Sequence, residues 1–311
     1  MKPIIKLNSS AIRRSSCMRR LDYTLQGYRE VITGNDVVFG TCFHDFVAEY
    51  RRNGQNITGA VSVGWAARDR EPSIYTKKYK EHLDDFTFFK SVCTLWAMEH
   101  SDWKTVMLGD EPATELPWLV PFYTGEHVDI VLCGTIDDIC THRTTPKVIA
   151  VRDYKTTSNS DPDKFFEKFR MSTQLMFYYL GMTKVCEAAR IEQPDSELAS
   201  LWLDATARCV MIEAIFLDKQ PFKTSFRTSP PLEVSAAQLA EFETLVRGVC
   251  QKLDVPVGFE HPREGLVNAA CEGDYGRKCL FFDACAASSK EDSELYLRTQ
   301  FAKETYDPLS I

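Results

Sequence analysis

Apolar residues along this chain fall into helix-like and strand-like runs, and the switches between them outline the elements. Between Ser9 and Tyr28 the spacing predicts a helix capped by Asn8 or a neighbouring serine, and a second helix is predicted from about Gly40 to Arg52. In Lys77 to His100, the residues Phe86, Phe89, Val92, Leu95 and Trp96 recur at three-and-four spacing, which predicts a buried helical stripe and a helical insertion over about 53–104. From Thr105 to Val151 the texture becomes β-branched and aromatic, broken by turn residues. Strands are predicted at about 105–109, 117–123, 126–133, 134–141 and 147–154. Helical spacing returns over Asp163 to Val185 through Phe165, Phe166, Phe169, Met176, Phe177 and Leu180. Cys209 to Leu217 predicts a buried strand and Ser235 to Leu253 a helix, and the chain after Asp254 reads as loop until Tyr296. The order of elements predicts an α/β fold, a central mixed sheet flanked by helices. With no internal repeat, low-complexity tract or Gly/Pro-rich linker, residues 1–311 read as a single elaborated domain.

Composition narrows the setting. At 311 residues, 44% hydrophobic and 26% charged, the chain can bury a substantial core. No apolar run is long enough to span a bilayer, and the opening Met1-Lys2-Pro3-Ile4-Ile5-Lys6-Leu7-Asn8 is too short and polar for a signal peptide. The expectation is a soluble, cytoplasmic protein without a membrane partner. In that compartment the eleven cysteines are expected to be reduced, which raises metal or cluster ligation as a use for some of them. A formal net charge of -7 argues against a generally basic nucleic-acid coat and leaves a local cleft open.

The chemistry concentrates in Gly134-Thr135-Ile136-Asp137 and Val148-Ile149-Ala150-Val151-Arg152-Asp153-Tyr154-Lys155. Strand alternation sends Asp153 and Lys155 to one side, and it lets only one of Asp137 and Asp138 face the same point. Asp137 and Asp153 offer hard oxygen ligands suited to Mg2+ or Mn2+, His44 would tilt the site toward Mn2+, and the Tyr154 carbonyl would complete the shell. Phosphodiester cleavage needs the activated water and charge neutralisation that such a cation supplies. Lys155 would orient or help deprotonate the attacking water. Gln174 and Tyr178, four apart on one helix face, would hold the nucleic-acid backbone or the lysine. Arg13, Arg14, Arg19 and Arg20 form a basic helix that is expected to contact DNA phosphates. No phosphate-binding G-x-x-x-x-G-K-[ST] loop is present, so any unwinding would come from another chain.

Cys93, Cys133, Cys186, Cys209 and Cys250 sit in apolar runs and read as small core residues. Cys271, Cys279 and Cys285 lie among Gly, Asp and Lys, a better setting for wrapping a cluster or a zinc ion.

Taken in order, these segments resemble a RecB-type member of the PD-(D/E)XK nuclease superfamily. Ser9-Ser10 with Cys17-Met18-Arg19-Arg20-Leu21-Asp22-Tyr23 is similar to the family's N-terminal motif, and Gly40-Thr41-Cys42-Phe43-His44 with Glu49 to its helix-borne histidine motif. Gly134 to Asp137 resembles the first carboxylate motif, Asp153 to Lys155 the D-x-K motif, and Gln174 with Tyr178 the Q-x-x-x-Y motif. The resemblance implies a restriction-endonuclease-like core and a Mg2+- or Mn2+-dependent deoxyribonuclease with Asp137, Asp153, Lys155, Gln174 and Tyr178 as its catalytic set. It further implies the iron–sulfur branch, in which Cys17, Cys271, Cys279 and Cys285 would hold a 4Fe-4S cluster that joins residues 1–28 to 255–295; structural zinc is the alternative. The implied work is processing of DNA ends, single-stranded by preference, in recombination, repair, or mobile-element, phage or CRISPR-adaptation DNA metabolism, alongside a helicase or recombinase. A catalytically silent DNA-binding scaffold and a zinc-bound structural protein are the competing readings.

Overall fold

The computed structural model describes residues 2–30, 35–70, 81–99, 102–159, 161–170, 172–256, 258–262, 264, 270–271 and 278–309. In chain order the elements are β1 (Ile4–Leu7), α1 (Ser9–Arg14), α2 (Met18–Leu25), β2 (Tyr28–Glu30), α3 (Asn35–Arg52), α4 (Ile57–Ala66), α5 (Phe86–Met98), β3 (Trp103–Thr105), β4 (Met107–Leu108), β5 (Glu111–Pro112) and β6 (Thr114–Thr124). They continue as β7 (Asp129–His142), β8 (Thr145–Thr157), α6 (Pro162–Glu167), α7 (Thr173–Glu192), α8 (Glu197–Leu203), β9 (Ala207–Phe216), β10 (Ser225–Thr228), β11 (Leu232–Glu233), α9 (Ala236–Leu253), α10 (Phe282–Ala286), α11 (Lys290–Gln300) and β12 (Phe301–Lys303). No helix among the described residues is long and apolar enough to cross a membrane.

The chain divides into two compact units, one of residues 32–118 and 135–239, the other of 1–31, 119–134 and 240–311. The first holds an α/β core with a mixed sheet. β8 runs antiparallel to β7 and parallel to β9, β3 adds to β7, and β10 and β11 add antiparallel to β9. On one face α3, α4 and α5 pack Phe39, Phe43, Phe46, Val61, Phe89 and Trp96 into one core with Tyr154 and Ile215. On the other lies α7, whose buried Phe177 meets Trp118 of β6 with ring centroids 5.4 Å apart. A Cβ on Gly181 of α7 would run into the Trp118 ring, so this helix can approach β6 only because position 181 has no side chain.

In the other unit β1 lies parallel to the leading residues of β7, from Ile4 opposite Asp129 to Leu7 opposite Leu132. β12 pairs antiparallel with β2, and Phe281 stacks on Phe301 at 4.9 Å within a cluster that includes Tyr23, Tyr28 and Leu297. Asp254 gathers the turn after β6 by accepting from the N–H groups of Glu126, His127 and Val128, and these donors hold its carboxyl below the usual range.

Several element boundaries differ from the sequence expectation. The predicted helix from Ser9 to Tyr28 is two helices, because the Ser15 hydroxyl and amide both turn back to the Ile12 carbonyl and end α1. Asn8 caps α1 through Ala11 N–H at 2.9 Å, as expected. Strands predicted at 126–133 and 134–141 are one continuous β7, since Gly134 is tolerated inside it. The helix predicted over 163–185 is interrupted after Glu167 and resumes at Thr173, where Gln174 falls in the first turn of α7. The segment after Asp254 is not all loop, because α10 and α11 form before and through Tyr296. Of the helix predicted over 77–100, residues 77–80 and 100 lie outside the described residues; α5 covers 86–98, capped by Asp85.

Gly181→Ala is expected to lower stability by about 1–3 kcal/mol through overpacking against Trp118. Gly248→Ala, which meets open space on α9, should be neutral or slightly stabilising. Urea unfolding of the two variants checks the contrast.

Candidate metal centre

β8 is the element on which the site turns. Its alternation places Asp153 and Lys155 toward α7, and Arg152 and Tyr154 toward α3 and α5. Asp153 and Lys155 form an ion pair at 2.5 Å. Gln174 donates one amide N–H to Asp153 Oδ1 at 3.0 Å and another to the Tyr178 hydroxyl at 2.9 Å, so the Q-x-x-x-Y pair orients the Asp153 carboxylate.

Asp137 belongs to a different cluster of contacts. His44 Nδ1 lies 3.3 Å from Asp137 Oδ2 and 3.8 Å from Glu115 Oε1. One ligand atom from each of His44, Glu115 and Asp137 falls within 4.8 Å of the others. His44 Nε2 is 3.0 Å from the Tyr154 carbonyl, which can only accept, so Nε2 carries a proton and Nδ1 faces the two carboxylates. The Tyr154 carbonyl, expected as a direct ligand, is thus engaged in orienting the imidazole, an arrangement common behind metal-bound histidines. The Tyr154 N–H donates to Asp137 Oδ2 at 2.9 Å, so one residue holds both His44 and Asp137 through its backbone.

Glu115 has no counterpart in the sequence reading. It sits at the start of β6 with φ of +47°, in the left-handed region that non-glycine residues seldom occupy. The one hint in the sequence is a lone acid heading an otherwise apolar run, Thr114-Glu115-Leu116-Pro117-Trp118.

Burial raises Asp137 above the usual carboxylate range and pushes Asp153 up to about 6, against the pull of His44 and Lys155. Burial works against the His44 cation as well, yet Asp137 and Glu115 outweigh it and lift the imidazole from 6.5 to about 9. Lys155 is likewise held protonated, because Asp153 and Asp137 overcome its desolvation. Two carboxylates crowded into a partly buried space beside His44 Nδ1, whose proton a cation would displace, form a donor set that fits a divalent cation of the Mg2+ or Mn2+ kind.

The remaining expected residues lie in the other unit. Arg13 is exposed, whereas Arg14 and Arg20 are half-buried. Arg19 turns inward, donating Nε to the His261 carbonyl at 2.7 Å and pairing with Glu260 at 3.2 Å, so it is a structural tie as well as a charge. Cys17 is buried at the N-cap of α2. Burial raises the Cys271 thiol, and the Cys17 and Cys279 thiols beside it add to the effect. The Cys279 N–H donates to the Cys271 carbonyl at 2.9 Å, and Cys279 and Cys285 both pack against the Tyr23 and Phe281 cluster. Cys93, Cys133, Cys186, Cys209 and Cys250 are all buried.

Within an α/β core, β7 and β6 thus bring Asp137 and Glu115 to His44, while β8 carries the Asp153–Lys155 pair. The family model described as the PD-(D/E)XK nuclease superfamily matches residues 13–286, and the chain belongs to that superfamily. Its members use divalent metals. No curated protein matches the chain.

The upward shifts have a definite sign. His44 and Asp153 bind more protons folded than unfolded, so the stability they contribute is lost as pH rises through their folded pKa values. For Asp153 that window runs from 3.8 to about 6, and for His44 from 6.5 to about 9. Metal-free protein should therefore melt at progressively lower temperature between pH 6.5 and 9, and His44→Gln should flatten this dependence. Thermal melts in EDTA across that range provide the check.

Proposed function

We propose that this protein is a RecB-type, metal-dependent deoxyribonuclease acting on DNA ends, with a preference for single strands, in recombination, repair or mobile-element DNA metabolism. The observation that carries the reading is the convergence of His44, Glu115 and Asp137 beside the Asp153–Lys155 pair. A divalent cation held by His44, Glu115, Asp137 and Asp153 would supply charge neutralisation at the phosphate and an activated water.

The side chains around it have separate tasks. Lys155 is a cation at neutral pH, so its place is to orient the attacking water and offset charge on the scissile phosphate rather than to take a proton. Gln174 keeps Asp153 turned toward Lys155, and Tyr178 backs Gln174. Tyr178 itself is no acid–base group, since burial and then Asp153 and Asp137 drive its pKa far up. Arg13, Arg14 and Arg20, with the outer part of Arg19, are assigned to phosphate contacts. The neighbouring thiols of Cys17, Cys271 and Cys279 support a 4Fe-4S cluster completed by Cys285, whose thiolates would otherwise suit zinc. A helicase or recombinase would supply the opened DNA.

The test is incubation of anaerobically purified protein with end-labelled single- and double-stranded DNA, with and without Mn2+ or Mg2+, alongside iron, sulfide and zinc analysis. Cleavage should require the cation, and Asp137→Ala or Glu115→Gln should reduce it by about a thousandfold, the worth of several kcal/mol of transition-state stabilisation. Iron and sulfide in near-equal amounts, lost in Cys17→Ala, would support the cluster; stoichiometric zinc would replace it. Cation-independent DNA binding without cleavage would instead support the silent scaffold.

A further inference from the structure

Behind the metal centre, on the opposite face of β8, lies a second set of charges that the reaction does not use. Arg152 and Asp138 are fully buried, and Glu213 is 6% exposed. Arg152 directs Nε at 2.8 Å, together with Nη2, to Asp138 Oδ2, and Nη1 at 2.8 Å to Glu213 Oε2. Asp138 Oδ2 also accepts from the Tyr154 hydroxyl at 3.0 Å and from Thr105 at 3.2 Å, while Trp96 Nε1 donates to Glu213 Oε1 at 2.5 Å. The guanidinium lies over the Tyr154 ring, 5.2 Å from its centroid.

Such a cluster is a poor means of stabilising a core. One cation is buried with two anions, Asp138 Oδ1 has no hydrogen-bond partner among the described residues, and apolar residues of similar volume are often at least as stable in such places. Its members are placed with a regularity that points elsewhere. Asp138 follows Asp137 on β7, Arg152 precedes Asp153 on β8, and Glu213 of β9 is in register with Tyr154. The network therefore grips, on the reverse face, the three strands at the level of the site. Its mechanical link is Tyr154: the phenol is held by Asp138, while the same residue's N–H holds Asp137 and its carbonyl holds the His44 imidazole.

We propose that Arg152, Asp138 and Glu213 are positioning residues for the metal centre, acting through the Tyr154 side chain to fix the two peptide groups that set Asp137 and His44. Cation sites tolerate only small ligand displacements, so a rotation of β8 about its axis would weaken metal binding before it disturbed the fold. The inference rests on the metal-centre reading above.

Tyr154→Phe removes the phenolic link and keeps the ring packed on Phe43 and Trp96. Val61→Ala, a truncation elsewhere in the same core, serves as the control for general loosening. Calorimetric titration of Mn2+ into the full metal-free chain reads the effect without any turnover. Tyr154→Phe should weaken Mn2+ binding by about tenfold, the usual consequence of losing a group that orients a ligand. In cleavage assays it should lower kcat at unchanged KM for DNA. Val61→Ala, matched or exceeding it in lost melting temperature, should keep wild-type Mn2+ affinity. Wild-type affinity in Tyr154→Phe, or an equal loss in Val61→Ala, would overturn the proposal. Folded wild-type protein that binds no Mn2+ would overturn the metal-centre reading and this inference with it.

Discussion

The structure turns on how β8 handles charge in a place where charge is expensive. Asp153 and Lys155 project to one face and Arg152 and Tyr154 to the other; Lys155 is half-buried and the other three are buried. On the reverse face the guanidinium and its carboxylates satisfy one another almost completely. On the site face His44, Lys155 and the Tyr154 N–H face Asp137, His44 also faces Glu115, and Lys155 and the Gln174 amide face Asp153. Burial raises Asp137 and Asp153 because water has been removed without an equivalent countercharge, and a bound cation would supply one.

The helices serve this arrangement. α3 delivers His44 by packing Phe43 against Tyr154 and Trp96, so the imidazole enters over the end of β8 while its neighbour is locked in the core. α7 delivers Gln174 from its first turn and is drawn close by the missing side chain at Gly181. Both helices are fixed by aromatic packing that includes the residues next to the polar ones they present, Phe43 beside His44 and Phe177 beside Tyr178, which keeps the site side chains ordered.

Much of this was legible in the sequence because it is local. Asp153 and Lys155 share a face by strand alternation alone, Gln174 and Tyr178 by helix spacing, and Asp137 stands at the same level through the pairing of β7 with β8. Glu115 was not legible, since its role depends on β6 bringing an otherwise ordinary acid to His44 in a left-handed backbone conformation. The role of Tyr154 was half visible: its carbonyl was expected at the site, but that it would orient His44 depends on the angle at which α3 crosses the sheet. The break between α1 and α2 was missed because Ser15 competes for the Ile12 carbonyl, a local bond that hydrophobic spacing does not register.

The most direct measurement of the central claim is anomalous diffraction from crystals of the protein soaked in Mn2+. The account predicts a manganese peak among His44 Nδ1, Glu115 and Asp137, with His44 Nε2 still donating to the Tyr154 carbonyl. Manganese absent from that position, with His44 and the two carboxylates still paired to one another, would contradict it.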